Sequence, residues 1–294
     1  MAASDNHCRS NSLPSKPHPL ILQCNEHLCR LEASTPTSLS SSSSSSSSFS
    51  HKLSGLQDLH EAVEKLVQLS ITREALVQES QENWVEKLLD GSLRLLDACT
   101  AAKDSLLHTK ECARELQSIM RRKRGGEMEI TVEVRKYLTS RKVVKKAISK
   151  ALGNLKSASN KCKLSPSHKS QKTPELVSLF KDVEIITLQI LESMLSFISA
   201  STQSKPSNWS LVSKLMHNKR ISCTQEAYEN EFAKVDSALQ AFVFHTTRKS
   251  ENTDNLQNLL EELELVIQDF VEGLEKLFKR FIKTRVALLN ILNH

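Results

Sequence analysis

The sequence predicts an all-α protein: a bundle of long antiparallel helices behind a disordered N-terminal tail. Three observations carry that reading. Glycine occurs only 6 times in 294 residues, against a usual share of ~7%. Sheet turns and phosphate-binding loops need glycine, so its scarcity favours helices. Near the C-terminus, Leu256, Leu260, Leu263, Ile267, Phe270, Leu274, Leu277 and Phe281 recur at spacings of 4, 3, 4, 3, 4, 3, 4. That rhythm is one apolar stripe on a long helix. The opening residues instead carry Pro14, Pro17, Pro19, Pro36 and an unbroken serine run from Ser40 to Ser48.

The tail is expected over residues 1–50. Its composition cannot bury enough apolar surface to offset chain entropy. Being serine-rich and poor in acid, it also shares the composition of a chloroplast transit peptide, the alternative reading. A helical bundle domain is expected over 51–294, with a polar linker at about 157–172 around Pro166. Its first helix runs from about Ser54 to Leu69, with Leu56, Leu59, Val63, Leu66 and Val67 on one side. A long helix follows from about Arg73 to Arg122, striped by Leu76, Trp84, Leu88, Leu89, Leu96, Cys99, Ala102, Leu106, Ala113, Leu116 and Met120. Gly91 inside it marks a close helix contact or a kink, and Gly125-Gly126 ends it.

The next helix spans about Glu129 to Lys156, with Val134, Leu138, Val144, Ile148, Ala151 and Leu155 inward. Thr173-Pro174-Glu175 is a start signal for a helix reaching about Ala200. A shorter segment runs from Asn208 to Met216. Ser222 with Gln225 fits a capping box for a helix to about Thr246. The final helix covers about Asp254 to Leu292.

In that final helix the positions flanking the stripe are Gln257, Leu259, Glu264, Val266, Val271, Gly273, Phe278 and Arg280. Half are apolar, which makes the stripe wider than a two-stranded seam and favours an intramolecular bundle over a homotypic coiled coil. Past Phe281, a second stripe of Ile282, Val286 and Leu289 appears beside Leu288 and Ile291. It is either buried architecture or a docking surface.

Composition excludes several classes. With 39% apolar and 25% charged residues the chain reads as soluble and globular. Seven cysteines, irregularly spaced, read as reduced thiols of a cytosolic or nuclear protein. Cys24, His27 and Cys29 lack a fourth metal ligand at suitable spacing, so no metal is expected, and no cofactor either. The most apolar stretch, Ile185 to Ala200, is interrupted by Gln189 and Glu192 and falls short of a membrane span. No nucleophile elbow, P-loop, zincin or dinucleotide motif occurs, so no enzyme activity is expected.

Two segments can act on partners. Between Arg121 and Lys163 stand fourteen lysines and arginines against three acids, Glu127, Glu129 and Glu133. Arg121, Arg122, Lys123 and Arg124 form a compact run. Arg135, Lys136, Arg141, Lys142, Lys145, Lys146 and Lys150 are expected on the outer face of the following helix. Such a face is either a solvated surface balanced by the acidic final helix, or a site for anionic lipid, an acidic protein or nucleic acid. No aromatic platform supports specific nucleic-acid reading. The second segment is Arg9-Ser10-Asn11-Ser12-Leu13-Pro14. An arginine three residues before Ser12 suits a basophilic kinase, and phosphate would add charge there. With Pro14 the pattern resembles a 14-3-3 binding motif.

Several blocks together resemble a known family: RSNSLPSKPHPL at 9–20, HKLSGLQDL at 51–59, WVEKLLDGSLRLLDACTAAKD at 84–104, EVRKYLTSRKVVKKAISKAL at 133–152, and the leucine-rich end from 256. They are similar to the plant-specific proteins bearing domain of unknown function 241, the BYPASS-related family. The resemblance implies a helical protein of undefined biochemistry with roles in root and shoot development. The serine-rich tail and the LDGSLRLLD block match the broad family rather than BYPASS itself, and no catalytic residue is implied. The expected function is a non-enzymatic, cytoplasmic interaction factor; the alternative is a peripheral membrane or nuclear factor using the basic helix.

Overall fold

The structure, a computed structural model, describes residues 18–34, 45–78, 84–122, 127–164, 175–199, 230–244 and 249–292. Among these there are eight α-helices and no strand. They are α1 (Pro19–Ser34), α2 (Ser46–Gln68), α3 (Ser70–Gln78), α4 (Trp84–Arg121), α5 (Glu127–Leu164), α6 (Glu175–Ile198), α7 (Glu231–Phe244) and α8 (Lys249–Leu292).

The apolar stripe of α8 organises the bundle. All eight residues of its 3-4 rhythm, from Leu256 to Phe281, are buried. Not one of the flanking positions is exposed: Val271 is buried, and the other seven are half-buried. A helix buried over so wide an arc needs more than one neighbour, and α8 packs against α2, α4 and α7. Its direction follows from paired side chains. Lys103–Glu275, Arg114–Glu264 and Arg121–Glu261 run α8 antiparallel to α4. Gln57 Nε2 donates to the Gly273 carbonyl at 3.3 Å, and Arg280 bonds Glu64, so α8 is parallel to α2. A Cβ at Gly273 would sit 2.9 Å from Leu53, so this crossing is close because position 273 lacks one.

His60–Thr187 and Phe49–Phe197 set α6 antiparallel to α2. Helices α2, α4, α6 and α8 thus form a four-helix core. Helix α5 lies antiparallel on the outside of α4, through Lys136–Glu115 and Ser140–Cys112. Gly91 marks a close helix contact: a Cβ there would overlap the Glu184 carboxylate that Arg94 grips at 2.6 Å.

Some boundaries differ from expectation. Within the stretch read as tail, α1 places Cys24, Leu28 and Leu31 against the core, at spacings of 4 and 3. The end of the serine run starts α2, where Ser45 caps by accepting from the Ser48 amide at 3.3 Å. The helix expected from Arg73 to Arg122 is described as α3 and α4, with residues 79–83 outside the description. Helix α5 continues through 157–164, into the expected linker. The described start of α7 is Glu231, where Asn230 Oδ1 accepts from the Ala233 amide at 2.7 Å. The Asn208–Met216 segment, the Ser222 capping box, the Thr173-Pro174 start signal and Gly125-Gly126 lie outside the described residues.

One expectation is corrected. Arg141 does not lie on the outer face of α5; its side chain is 2% exposed. Val134, Tyr137, Arg141, Val144 and Ile148 follow the inward 3-4 rhythm, and position 141 falls on it. The guanidinium donates from Nε to Asp236 Oδ1 (3.1 Å), from Nη2 to Asp236 Oδ2 (3.3 Å) and the Ile198 carbonyl (2.9 Å), and from Nη1 to Thr109 Oγ1 (3.3 Å). Lys145 reaches Asp236 at 2.9 Å from the rim. Phe232 lies under the guanidinium, its ring centroid 5.4 Å from Cζ. Four helices, α4 to α7, meet at this one cation. Arg141→Met is expected to lower unfolding free energy by about 3–5 kcal/mol, because Asp236 is left buried without its main partner. Pairing it with Asp236→Leu should recover part of that loss in denaturant titrations.

A second buried polar group lies between α2, α6 and α8. Thr187 directs its hydroxyl proton to the Val183 carbonyl at 2.6 Å, so it accepts from His60 Nε2 at 2.9 Å. That assigns a neutral, Nε2-protonated imidazole, whose ring stands edge-on to Phe281. Burial holds the His60 pKa down to about 3. An unfolded chain takes up this proton near pH 6.5, the folded one not until about pH 3, so acid favours unfolding. The stability of the wild type relative to His60→Gln is therefore expected to fall as pH drops from about 6 to 4, by about 1.4 kcal/mol per pH unit. Denaturant midpoints of the two proteins across that range check it; a pH-independent difference is the contrary result.

Candidate functional site

Helix α5 is long because Glu127–Leu164 contains no proline and a single glycine, Gly153. At ~100° per residue, the inward rhythm through Val134, Tyr137, Arg141, Val144 and Ile148 leaves an opposite sector of about the same width. That sector holds Met128, Val132, Arg135, Thr139, Lys142, Val143, Lys146 and Lys150, all exposed. Met128 is 77% exposed, Val132 57% and Val143 60%. Apolar side chains thus stand among cations on one convex face.

Its electrostatics depend on which cations are already paired. Lys136 bonds Glu115 at 2.7 Å and Glu133 at 3.3 Å, and hydrogen bonding to Glu115, then Glu133, raises its pKa. Lys145 pairs with Asp236. Arg135, Lys142, Lys146 and Lys150 have no ion-pair partner among the described residues. The acids of α8 do not balance this face. Glu261, Glu264 and Glu275 pair instead with Arg121, Arg114 and Lys103 of α4.

The expected site residues therefore separate. Lys142, Lys146 and Lys150 share the outer face; Lys145 lies at its edge, tied inward. Arg121 is bonded to α8, and Arg122, in the turn that follows α4, has no side-chain partner among the described residues. Lys123 and Arg124 lie outside the described residues, as do Arg9, Ser10, Ser12 and Pro14. On α8, Ile282, Val286 and Leu289 are exposed, while Leu288 and Ile291 are buried, so that end is apolar on a solvent-facing side. Cys24 is buried, its thiol pushed up to about 11 by desolvation, whereas Cys29 is exposed. The contribution of Met128, Val132 and Val143 to the outer face was not singled out from sequence, although the same rhythm that places Lys146 outward places them there too.

Fold and face together define a class: an all-helical bundle that presents one cationic, apolar-studded helix to its surroundings. The chain belongs to the plant-specific family described as Protein BPS1, whose profile matches residues 52–291. The match runs from α2 to the end of α8. No curated protein and no solved structure matches the chain.

Unpaired surface cations contribute little to folding. Replacing Lys142, Lys146 and Lys150 together with glutamine is expected to leave each position within about 0.5 kcal/mol of wild-type stability. Thermal and denaturant unfolding measure this; a larger loss would give the face a structural role.

Proposed function

We propose that the protein is a non-catalytic regulatory factor of plant development that works by docking, and that the outer face of α5 docks onto an anionic membrane surface. The observation that carries this is the co-location, in a sector of about 100°, of four unpaired cations with exposed Met128, Val132 and Val143. Cations draw such a helix to acidic headgroups, and the apolar side chains enter the interface between them. The face is one exposed sector of a single helix, which suits a flat surface. No described helix is long and apolar enough to cross a membrane, so the association is peripheral. The cytoplasmic leaflet supplies the anionic lipid. Membership of the BPS1 family supports a developmental role.

Phosphorylation of Ser12 in the Arg9-Ser10-Asn11-Ser12-Leu13-Pro14 segment would add a 14-3-3 contact remote in sequence from α5. Nuclear import through Arg121 to Arg124 is the reading that the Arg121–Glu261 pair favours less.

The full chain is expected to sediment with phosphatidylserine-containing vesicles and not with neutral ones. At ~1 kcal/mol per cation, glutamine at Lys142, Lys146 and Lys150 should weaken binding by roughly 100-fold. Serine at Met128, Val132 and Val143 should also weaken it while leaving the salt dependence in place. Equal binding to neutral vesicles, or no response to the lysine substitutions, overturns the proposal.

A further inference from the structure

We propose that the cleft between the C-terminal end of α4 and α8 is a binding site for a phosphate-bearing anion. Its walls are Arg114, Gln117, Ser118 and Arg121 of α4, Arg122 in the turn that follows, and Glu264 of α8, and its volume is about 540 Å³. The four α4 residues fall at i, i+3, i+4 and i+7, one side of the helix, and Arg122 at i+8 continues that side into the turn. Three guanidinium groups therefore face one cleft against a single lining carboxylate.

The ion pairs across α4 and α8 leave much of this donor capacity unused. Arg114 gives Nε to Glu264 at 2.6 Å, and its two terminal nitrogens have no partner among the described residues. Arg121 gives Nη2 to Glu261 at 3.0 Å and keeps Nε and Nη1. Arg122 has no side-chain partner there at all. A guanidinium offers five N–H donors in a planar fork that fits two oxygens of one phosphate.

Gln117 is an independent pointer. It is 2% exposed, and its Nε2 has no hydrogen-bond partner among the described residues. Buried amides are ordinarily satisfied, and an orphaned donor is a standing penalty. It borders the cleft, and rotation about its last torsion can present the amino group to an acceptor held there. The acceptor that answers Gln117 would also answer the three arginines. Phosphate suits them better than carboxylate, because it carries more charge and more acceptor oxygens.

The cleft is separate from the α5 face. Cys112 and Glu115 of α4 turn toward α5, while Arg114 and Arg121 turn toward α8. The anion is either a soluble phosphate compound or a phosphorylated lipid headgroup, and the shared chemistry is the phosphate.

Calorimetry of the full chain with inositol hexakisphosphate in low salt tests the site, and thermal shift gives a second reading. Saturable binding with a raised melting temperature is expected. Arg121→Gln with Arg122→Gln should weaken it at least about tenfold. Gln117→Met separates binding from folding. Without ligand the variant should melt at the wild-type temperature or above, since an unpaired donor is gone, yet it should bind more weakly. The variant with glutamine at Lys142, Lys146 and Lys150 should bind like wild type. Sedimentation of that variant with vesicles containing phosphatidylinositol bisphosphate would assign a lipid headgroup; binding of the free compound without such sedimentation would assign a soluble ligand. No saturable binding by the wild type overturns the proposal. So does wild-type affinity in either cleft variant, or loss of binding only in the α5 variant.

Discussion

A guanidinium that is 2% exposed, in a protein otherwise packed with leucine, sets the geometry around it. Arg141 has to be answered where it sits, since an unpaired buried charge is far more costly than a paired one. Asp236 comes from α7, the Ile198 carbonyl from the last turn of α6, and Thr109 from the middle of α4. Each partner fixes one helix relative to α5. The carbonyl contact also sets positive charge at the negative end of the α6 dipole. Asn230 ties the same region from the other side, donating to the Phe197 carbonyl at 2.8 Å while it caps α7. Around these polar contacts Phe49, Phe197, Phe232 and Phe270 pack with centroids 4.9 to 6.1 Å apart, joining α2, α6, α7 and α8.

The same residue fixes the rotation of α5. With Arg141 inward, Lys142 and Val143 on one turn and Lys146 and Lys150 on the next turns can only face out. What distinguishes the outer face is then a matter of allocation. Glu261, Glu264 and Glu275 of α8 are matched to cations on α4, and Asp236 takes both Arg141 and Lys145. The four cations left on the outside of α5 have no carboxylate within reach among the described residues. Four uncompensated cations thus stand on one side of one helix, in a chain whose net charge is only +6. The proposed docking to an anionic surface rests on that concentration more than on the total.

Much of the helical architecture is legible in the residues alone. The α8 stripe is buried at every position of its rhythm, and the apolar flanking positions correctly anticipate several neighbours in place of a single partner. The long-helix stripe is buried too, apart from half-buried Leu96. Arg141 was less legible, because arginine in a basic run reads as solvated and its partner lies 95 residues away. Helix α1 was obscured by the prolines around it and by the serine run that follows; only Cys24, Leu28 and Leu31 hint at its buried side. The candidate site was half visible. Lys142, Lys146 and Lys150 were in view, but their distinction from Lys145 and Lys136 depends on Asp236, Glu115 and Glu133.

What the sequence by itself determined is local: where helices run, which stripe of each is apolar, and that α5 is basic. Periodicity belongs to one helix at a time, so a string of residues is enough to state it. What only the tertiary structure decided is pairing. Whether a cation is neutralised, buried or left facing outward depends on carboxylates and carbonyls brought from far along the chain, and Coulomb attraction acts on distance in space. Hence the sequence could place Arg121, Arg141 and Lys146 in one basic segment, while the fold made the first an interhelical tie, the second the centre of a four-helix junction, and the third part of a free surface.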